Sequence, residues 1–229
     1  MVEPVPANNG LLLQRREYLQ KMRDLCTQHG ALLIFDEVIS GFRVGLGGAA
    51  AHYDILPDLV TFGKVLGGGM PVGAFAGPAK HFESLAPLGP VYQAGTLSGN
   101  PVAMAAGHAT LTVLRRDSVH DYLESLGQQL EARVQAMLKD NDWPVAFCRM
   151  GSLFWFSFGG RIAPTCAECV MDVAPDMYRR FHTACLEQGV YMAPSSYEIG
   201  FLSAAHTPDD IDTACRAFGQ AMKTTFETV

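Results

Sequence analysis

Basic residues are too few in this chain to favour a nucleic-acid partner. Its 229 residues include 17 Lys and Arg against 23 Asp and Glu, which gives a formal net charge of −6 at pH 7. We therefore expect no binding to nucleic acid or to an anionic membrane surface. No apolar run approaches the ~20 residues of a membrane span, and the N-terminal "MVEPVPANNG" lacks the basic and apolar regions of a signal peptide. The default expectation is a cytoplasmic protein.

Metal-binding patterns are missing as well. Only Cys166 and Cys169 of the six cysteines have CxxC spacing, and no second pair completes a zinc ribbon. The seven histidines form no HxxxH or HExxH pattern, so we predict no metal site. No clear βαβ setting surrounds the cysteine pair, and we interpret it as two reduced thiols rather than as a redox motif.

The chain has the composition of a globular protein of one or two domains, with 48% hydrophobic and 17% charged residues. Helical spacing over residues 11–29 is followed by the short apolar runs "ALLIFDEV", "PDLVTFGK" and "PVGAFAG", which we interpret as strands. From about residue 117 the pattern changes to long amphipathic helices around a strand, "GSLFWFSF". We predict an α/β sheet unit in residues 1–117 and a smaller α+β domain in residues 118–229.

The stretch "FGKVLGGGMPVGAF" places one lysine, Lys64, beside three consecutive glycines in apolar surroundings. Asp36 and Lys64 come at the ends of two predicted parallel strands, the edge at which open α/β sheets bind ligands. An aspartate there can pair with a cationic ring nitrogen, as in pyridoxal phosphate enzymes. We expect Phe62, Val65 and Leu66 to desolvate Lys64 and to lower the pKa of its amine. Gly67–Gly69 would leave room for a ring.

The sequence predicts a phosphate-binding segment further along the chain. Asn100 is a plausible N-cap and Pro101 a plausible first residue of a helix rich in small residues. Thr96, Ser98 and the free amides of that helix offer suitable hydrogen-bond donors.

Other readings of these residues remain open at this point. Asp36 and Glu37 could simply begin a loop, and Lys64 could be solvated with the glycines as a hinge. An Asp-Glu pair after a strand also resembles an acidic metal-binding motif of nucleotide hydrolases, but no GxxxxGK[ST] sequence accompanies it.

Three blocks resemble consecutive signatures of the glutamate-1-semialdehyde 2,1-aminomutases, a family within the class III aminotransferases of fold type I. They are "LLIFDEVISGFRVGLGGAA", "PDLVTFGKVLGGGMPVGAFAG" and "GPVYQAGTLSGNPVAMAAG", and the similarity continues through "GVYMAPSSYEIGFLSAAH". The resemblance implies a pyridoxal 5'-phosphate enzyme. Residues 1–117 would be the C-terminal part of the cofactor-binding large domain, a partial and mostly parallel sheet, and residues 118–229 the small C-terminal domain.

The resemblance also implies roles for individual residues. Lys64 resembles the lysine that binds the cofactor covalently and shuttles protons, and Asp36 resembles the partner of the pyridine nitrogen. Val38 would pack on one ring face, a role compatible with that of a core valine. Asn8, in a segment that departs from the usual EPVAGN, would lie near the phenolic oxygen. Gly95 and Thr96 would reach the phosphate of the other subunit of a homodimer. Glu198 is either near the substrate or a solvated loop residue. For Arg43 we favour a structural pairing with Glu37 or a carbonyl.

The family's chain is about twice this length, and its first half has no counterpart here. We therefore expect exposed apolar surface, with poor solubility or obligate association, and inactivity rather than activity for the isolated chain. The implied reaction moves an amino group from C2 to C1 of glutamate-1-semialdehyde and gives 5-aminolevulinate for tetrapyrrole synthesis. The alternatives are an aminotransferase acting on an amine or amino acid and a keto acid, and an inactive chain.

Overall fold

The computed structural model describes residues 1–170 and 175–227, which form two compact units. The first unit contains residues 1–5 and 14–118, and the second contains residues 6–13 and the chain from Val119 onward. Residues 6–13 therefore group with the later part of the chain, whereas the sequence analysis assigned all of residues 1–117 to one domain. The assignment of these parts to the large and small domains of an enzyme stays a prediction.

The first unit consists of a three-stranded sheet with four helices. Its strands are β1 (Ile34–Glu37), β2 (Leu59–Phe62) and β3 (Ala74–Ala76). Its helices are α1 (Arg16–Gln28), α2 (Gly48–Tyr53), α3 (Ala79–Phe82) and α4 (Pro101–Arg116), and a 3₁₀ turn spans Lys64–Gly67. The three predicted strands are all present.

The sheet has the order β1-β2-β3, with β1 and β2 parallel and β2 and β3 antiparallel. An additional parallel bridge joins Val2 to Phe35. Two of these three pairings are parallel, which agrees with the predicted mostly parallel sheet. In the β1–β2 ladder Asp36 lies opposite Thr61 and Glu37 opposite Phe62. Side chains alternate along a strand, so Asp36 and Glu37 point to opposite faces of the sheet.

Helix α1 is shorter than predicted, because residues 11–13 belong to the second unit. Leu11 and Leu12 are buried there, and the Leu12 amide donates to the Pro6 carbonyl at 3.0 Å. Their apolar side chains happen to match helical spacing, but the structure assigns this segment to no helix. The predicted stop is confirmed, since the helix ends just before Gly30, whose φ is +63°.

Helix α4 begins as predicted, with the Asn100 side chain accepting a hydrogen bond from the Ala103 amide at 2.9 Å and Pro101 in the first turn. The small residues of α4 bring it close to the 3₁₀ turn. A Cβ on Gly107 would lie 2.5 Å from the Leu66 carbonyl oxygen, so only a glycine fits there. The turn that carries Lys64 is therefore supported by the backbone of α4.

The second unit is an antiparallel α+β structure, as predicted. Its strands are β4 (Val145–Met150), β5 (Leu153–Phe158) and β6 (Gly200–Phe201), in the order β4-β5-β6. Its helices are α5 (Val119–Asn141), α6 (Pro175–Glu187) and α7 (Pro208–Glu227), with a 3₁₀ turn at Ala167–Cys169. All six residues of β5 are buried. In the core, the ring of Phe156 lies 5.3 Å from that of Phe181 and 5.0 Å from that of Phe218, which joins the sheet to α6 and α7.

Candidate functional site

Asp36 is held at the C-terminal end of β1 by two hydrogen bonds to the same carboxylate oxygen. Oδ1 accepts from the Val38 amide at 3.0 Å and from the Thr61 hydroxyl at 3.3 Å. Among the described residues no hydrogen bond ends on Oδ2. The orientation of the carboxylate is thereby fixed, and one oxygen remains for a ligand. Thr61 was not predicted as a site residue; its position opposite Asp36 follows only from the strand register.

Lys64 lies one residue beyond β2 and begins the 3₁₀ turn. Its backbone φ is +48°, a left-handed conformation that residues other than glycine rarely adopt and that is found most often at functional sites. Since β1 and β2 are adjacent and parallel, Asp36 and Lys64 come to the same edge of the sheet, as predicted.

The predicted desolvation of Lys64 is wrong, because the residue is exposed. Phe62, which was expected to cover it, packs its ring on Phe42 at a centroid distance of 5.1 Å. Lys64 instead lines an open cavity of about 600 Å³, together with Arg43 and Thr110.

Val38 lies on the same face of the sheet as Asp36 and is half-buried. It faces Gly63, the residue before Lys64, on which a Cβ would lie 3.3 Å from Val38 Cγ1. The Val38 side chain therefore lies beside the residue that precedes Lys64.

The three glycines after Lys64 allow a tight turn, as predicted, with φ of +57° at Gly68 and +91° at Gly69. A Cβ on Gly67 would meet Val72 Cγ1 at 2.7 Å. One on Gly68 would meet the Thr110 hydroxyl, and also the Ala106 carbonyl oxygen at 2.8 Å. Gly67 and Gly68 therefore also allow the turn to pack against its own chain and α4, while the clearance for a ring stays a prediction.

Glu37 has a structural role that the sequence analysis missed. It is 1% exposed, and its carboxylate accepts hydrogen bonds from the amides of Ala49 and Ala50 at 2.6 and 3.0 Å, and from Ser40 Oγ at 3.2 Å. The predicted pairing of Glu37 with Arg43 is not among its contacts in the described part of the chain. Burial lowers the pKa of the Arg43 guanidinium.

Gly95 and Thr96 lie in an exposed loop before α4. The Ser98 amide donates to the Gly95 carbonyl at 2.9 Å, and Gly95 and Ser98 line a cavity of about 750 Å³ beside α4. Because the Asn100 side chain already accepts from the Ala103 amide, one of the helix donors expected for a phosphate is in use. The predicted phosphate contacts stay predictions.

Asn8 and Glu198 belong to the second unit, where both are exposed. Their segments are joined by a hydrogen bond from the Gly10 amide to the Tyr197 carbonyl at 2.7 Å. Glu198 lines a cavity of about 390 Å³ within that unit. The roles of both residues stay predictions.

Residues 1–170 and 175–227 contain neither a candidate metal site nor a candidate membrane span. Their His, Cys, Asp and Glu side chains form no cluster of three or more suited to a metal ion. None of their helices has the length and apolar character needed to cross a membrane.

Comparisons with known proteins connect this site to one enzyme family. The family profile "Aminotransferase class-III" matches residues 1–222. A glutamate-1-semialdehyde 2,1-aminomutase from Akkermansia muciniphila is 46% identical over 217 residues, which are 95% of this chain and 51% of that protein. The chain thus spans about half the length of this curated relative.

Solved structures show the same fold. An omega-transaminase from Sphaerobacter thermophilus has a TM-score of 0.90 and 32% identity, covering 97% of this chain and 51% of its own. A β-phenylalanine aminotransferase from Variovorax paradoxus has a TM-score of 0.89 and 33% identity, with coverages of 96% and 50%. A glutamate-1-semialdehyde aminomutase from Pseudomonas aeruginosa, in complex with PMP, has a TM-score of 0.87 at 23% identity, with coverages of 98% and 51%. This chain belongs to the class III aminotransferase family.

Proposed function

We propose that this chain forms part of the site of a pyridoxal 5'-phosphate-dependent aminomutase that converts glutamate-1-semialdehyde to 5-aminolevulinate. The cofactor is supported by one observation above all, the placement of Asp36 and Lys64 at the ends of adjacent parallel strands. The substrate is supported by the 46% identity with a relative of that activity.

The residues at this edge of the sheet fit the cofactor. A protonated pyridine nitrogen is a cationic donor, and Asp36 offers it an oxygen while its other oxygen is held by Val38 and Thr61. A flat ring needs an apolar surface to pack on, and the Val38 side chain next to Gly63 supplies one. A lysine amine is the group that binds an aldehyde covalently.

Each of these residues has a task in the proposed reaction. When bound, pyridoxal phosphate supplies a ring that accepts electrons from the reacting carbon. Asp36 would hold the proton on the ring nitrogen, because a carboxylate stabilises the cationic form of its partner. Lys64 would hold the cofactor, and its Nζ would move protons at the substrate carbons. Val38 orients the ring by packing on one face.

Further residues complete the proposed site. Asn8 would contact the phenolic oxygen of the cofactor and Glu198 the substrate. Gly95 and Thr96 would reach the phosphate bound by the other subunit of a homodimer, and their exposure in this chain supports that proposal. We also propose a cytoplasmic location, which suits a biosynthetic enzyme acting on a small soluble metabolite.

The cofactor assignment can be tested on the 229-residue chain. Addition of pyridoxal phosphate followed by borohydride should fix the cofactor on Lys64, as mapped by peptide mass spectrometry. Lys64→Ala should lose both this label and the near-visible absorbance of the lysine-bound cofactor. Lys80→Ala is the matched control, because Lys80 is another exposed lysine of the first unit. Equal labelling of both variants would remove Lys64 from its proposed role.

The substrate needs a separate experiment, because relatives are about twice as long as this chain. The chain would be assayed alone and mixed with a polypeptide covering the first half of the Akkermansia relative. An aminomutase forms 5-aminolevulinate from glutamate-1-semialdehyde with no keto acid present. The second candidate, an aminotransferase, is favoured by the 32% and 33% identities with the two transaminases, and it would require an amino donor and a keto acid. Turnover that occurs only when both an amino donor and a keto acid are present would refute the mutase proposal.

A further inference from the structure

The CxxC pair of the second unit lies on the segment between β5 and α6. The 3₁₀ turn at Ala167–Cys169 folds the backbone so that the Cys169 amide donates to the Cys166 carbonyl at 3.1 Å. This turn places the two sulfur atoms side by side. The sequence alone favoured two reduced thiols here rather than a redox motif, and the proposed aminomutase reaction does not use the pair.

The six cysteines fall into different environments. Cys148 and Cys185 are buried, and burial raises the pKa of each thiol to about 12. Burial also raises the pKa of Cys215, to about 11. Cys169 is exposed and Cys166 is half-buried. The contact with Cys166 raises the pKa of the Cys169 thiol as well, so thiol pKa does not set the pair apart from the other cysteines. What distinguishes the pair is that Cys169 is exposed and that a second thiol lies directly beside it.

We propose that Cys166 and Cys169 form a dithiol site that exchanges with small disulfides of the glutathione type. The thiolate of one cysteine attacks a sulfur of glutathione disulfide, whose S–S bond breaks and releases one glutathione. The second cysteine attacks the resulting mixed disulfide and releases the other glutathione. Two protein thiols are oxidised to one disulfide, one glutathione disulfide is reduced to two thiols, and the two protein protons pass to the released glutathiones.

The structure supports the second step in particular. A mixed disulfide is resolved quickly when another thiol is already next to it, because no loop has to close first. The four-residue turn supplies that neighbour from within the same segment. The site is therefore expected to accumulate the intramolecular disulfide rather than the glutathione adduct.

The experiment uses the 229-residue chain equilibrated in glutathione buffers of increasing oxidation, then alkylated and analysed by peptide mass spectrometry. As the buffer becomes more oxidising, Cys166 and Cys169 should lose alkylation together, and the peptide that contains both should carry an internal disulfide. Cys169→Ser should instead carry a stable glutathione adduct on Cys166, and Cys166→Ser one on Cys169. Cys26→Ser, which removes a half-buried cysteine of α1, is the control and should leave the pair's oxidation unchanged.

A comparison with the unfolded chain separates the turn geometry from mere proximity in sequence. In concentrated urea the equilibrium constant for forming the disulfide should fall by about tenfold, equivalent to roughly 30 mV, because the turn no longer holds the thiols together. An unchanged constant in urea would overturn the proposal. Persistent alkylation of both thiols, or stable glutathione adducts on the unsubstituted chain, would overturn it as well. None of these outcomes depends on cofactor binding, so the aminomutase proposal stands or falls separately.

Discussion

The close contact between α4 and the turn that carries Lys64 can be tested with a glycine-to-alanine substitution. Helix propensity alone predicts that alanine stabilises the protein, whereas the contact predicts that it destabilises it. Gly107 lies inside α4 and is buried. In an exposed helix, replacing an interior glycine by alanine stabilises by about 1 kcal/mol. Here the new Cβ would lie 2.5 Å from the Leu66 carbonyl oxygen, which belongs to the backbone and would have to move by roughly 1 Å. Overpacking of this kind costs about 1–3 kcal/mol.

We therefore expect Gly107→Ala to lower the stability of the first unit by about 1 kcal/mol, since the packing cost exceeds the gain in propensity. Gly219→Ala in α7 is the matched control. Its Cβ would meet only the sulfur of Met137, at 3.2 Å, and a flexible methionine side chain can yield. Gly219→Ala should be neutral or stabilising.

The assay is native-state hydrogen exchange read by mass spectrometry, because it reports α4 and α7 separately within one chain. Amides of α4 should exchange about fivefold faster in Gly107→Ala, and those of α7 should be unchanged or slower in Gly219→Ala. Slower exchange of α4 in Gly107→Ala would show that α4 does not closely approach the Lys64 turn, and the reasoning would fail.

Four further substitutions, one of them a control, test other contacts. Gly68→Ala should destabilise the first unit by about 3 kcal/mol, because the left-handed backbone disfavours alanine and the new Cβ clashes with α4. Gly69→Ala is the control: its backbone is also left-handed but open space surrounds it, so it should cost only about 1 kcal/mol. Hydrogen exchange of α4 measures both effects. Glu37→Gln should destabilise α2 by about 1–3 kcal/mol, seen as faster exchange of its first amides. Arg149→Met should weaken the second unit in urea titrations followed by tryptophan fluorescence. It should also reduce the loss of stability on acidification, because the hydrogen bond from Arg149 lowers the pKa of Glu124, and that contribution is lost as pH falls through the lowered value.

Local signals predicted much of the fold. The side-chain cap and the proline at the start of α4, and the glycine after α1, define helix ends within a few residues, so they can be read from the chain alone. The apolar runs that form β1 and β2 were identified for the same reason. The limit appears at residues 11–13, where helical spacing coincides with a non-helical segment that belongs to the second unit. Hydrophobic periodicity describes the spacing of apolar residues along the chain, but it does not show which part of the protein those residues pack against.

Errors about the site came from contacts between distant segments. Lys64 was expected to be covered by its sequence neighbours, but Phe62 packs on Phe42 and leaves the lysine exposed. The glycines after it were predicted to form a tight turn and to clear a ring, but the need for Gly68 created by its contact with α4 was not foreseen. Such constraints depend on which elements meet in space, and no local pattern contains that information.

The acidic pair Asp36–Glu37 shows how one strand separates two tasks. Successive side chains of a strand point to opposite faces, so adjacent carboxylates cannot serve the same site. Glu37 points to the buried face, where it satisfies the first amides of α2 and anchors the segment that follows β1. Asp36 points to the other face, where only one oxygen is bound and the second is left for a ligand. A shift of register by one residue would exchange the two environments, placing the longer glutamate at the proposed ring nitrogen and the shorter aspartate beneath α2. The order of the two acids is therefore set by the fold as much as by the chemistry, and the buried glutamate holds in place the strand that presents the aspartate.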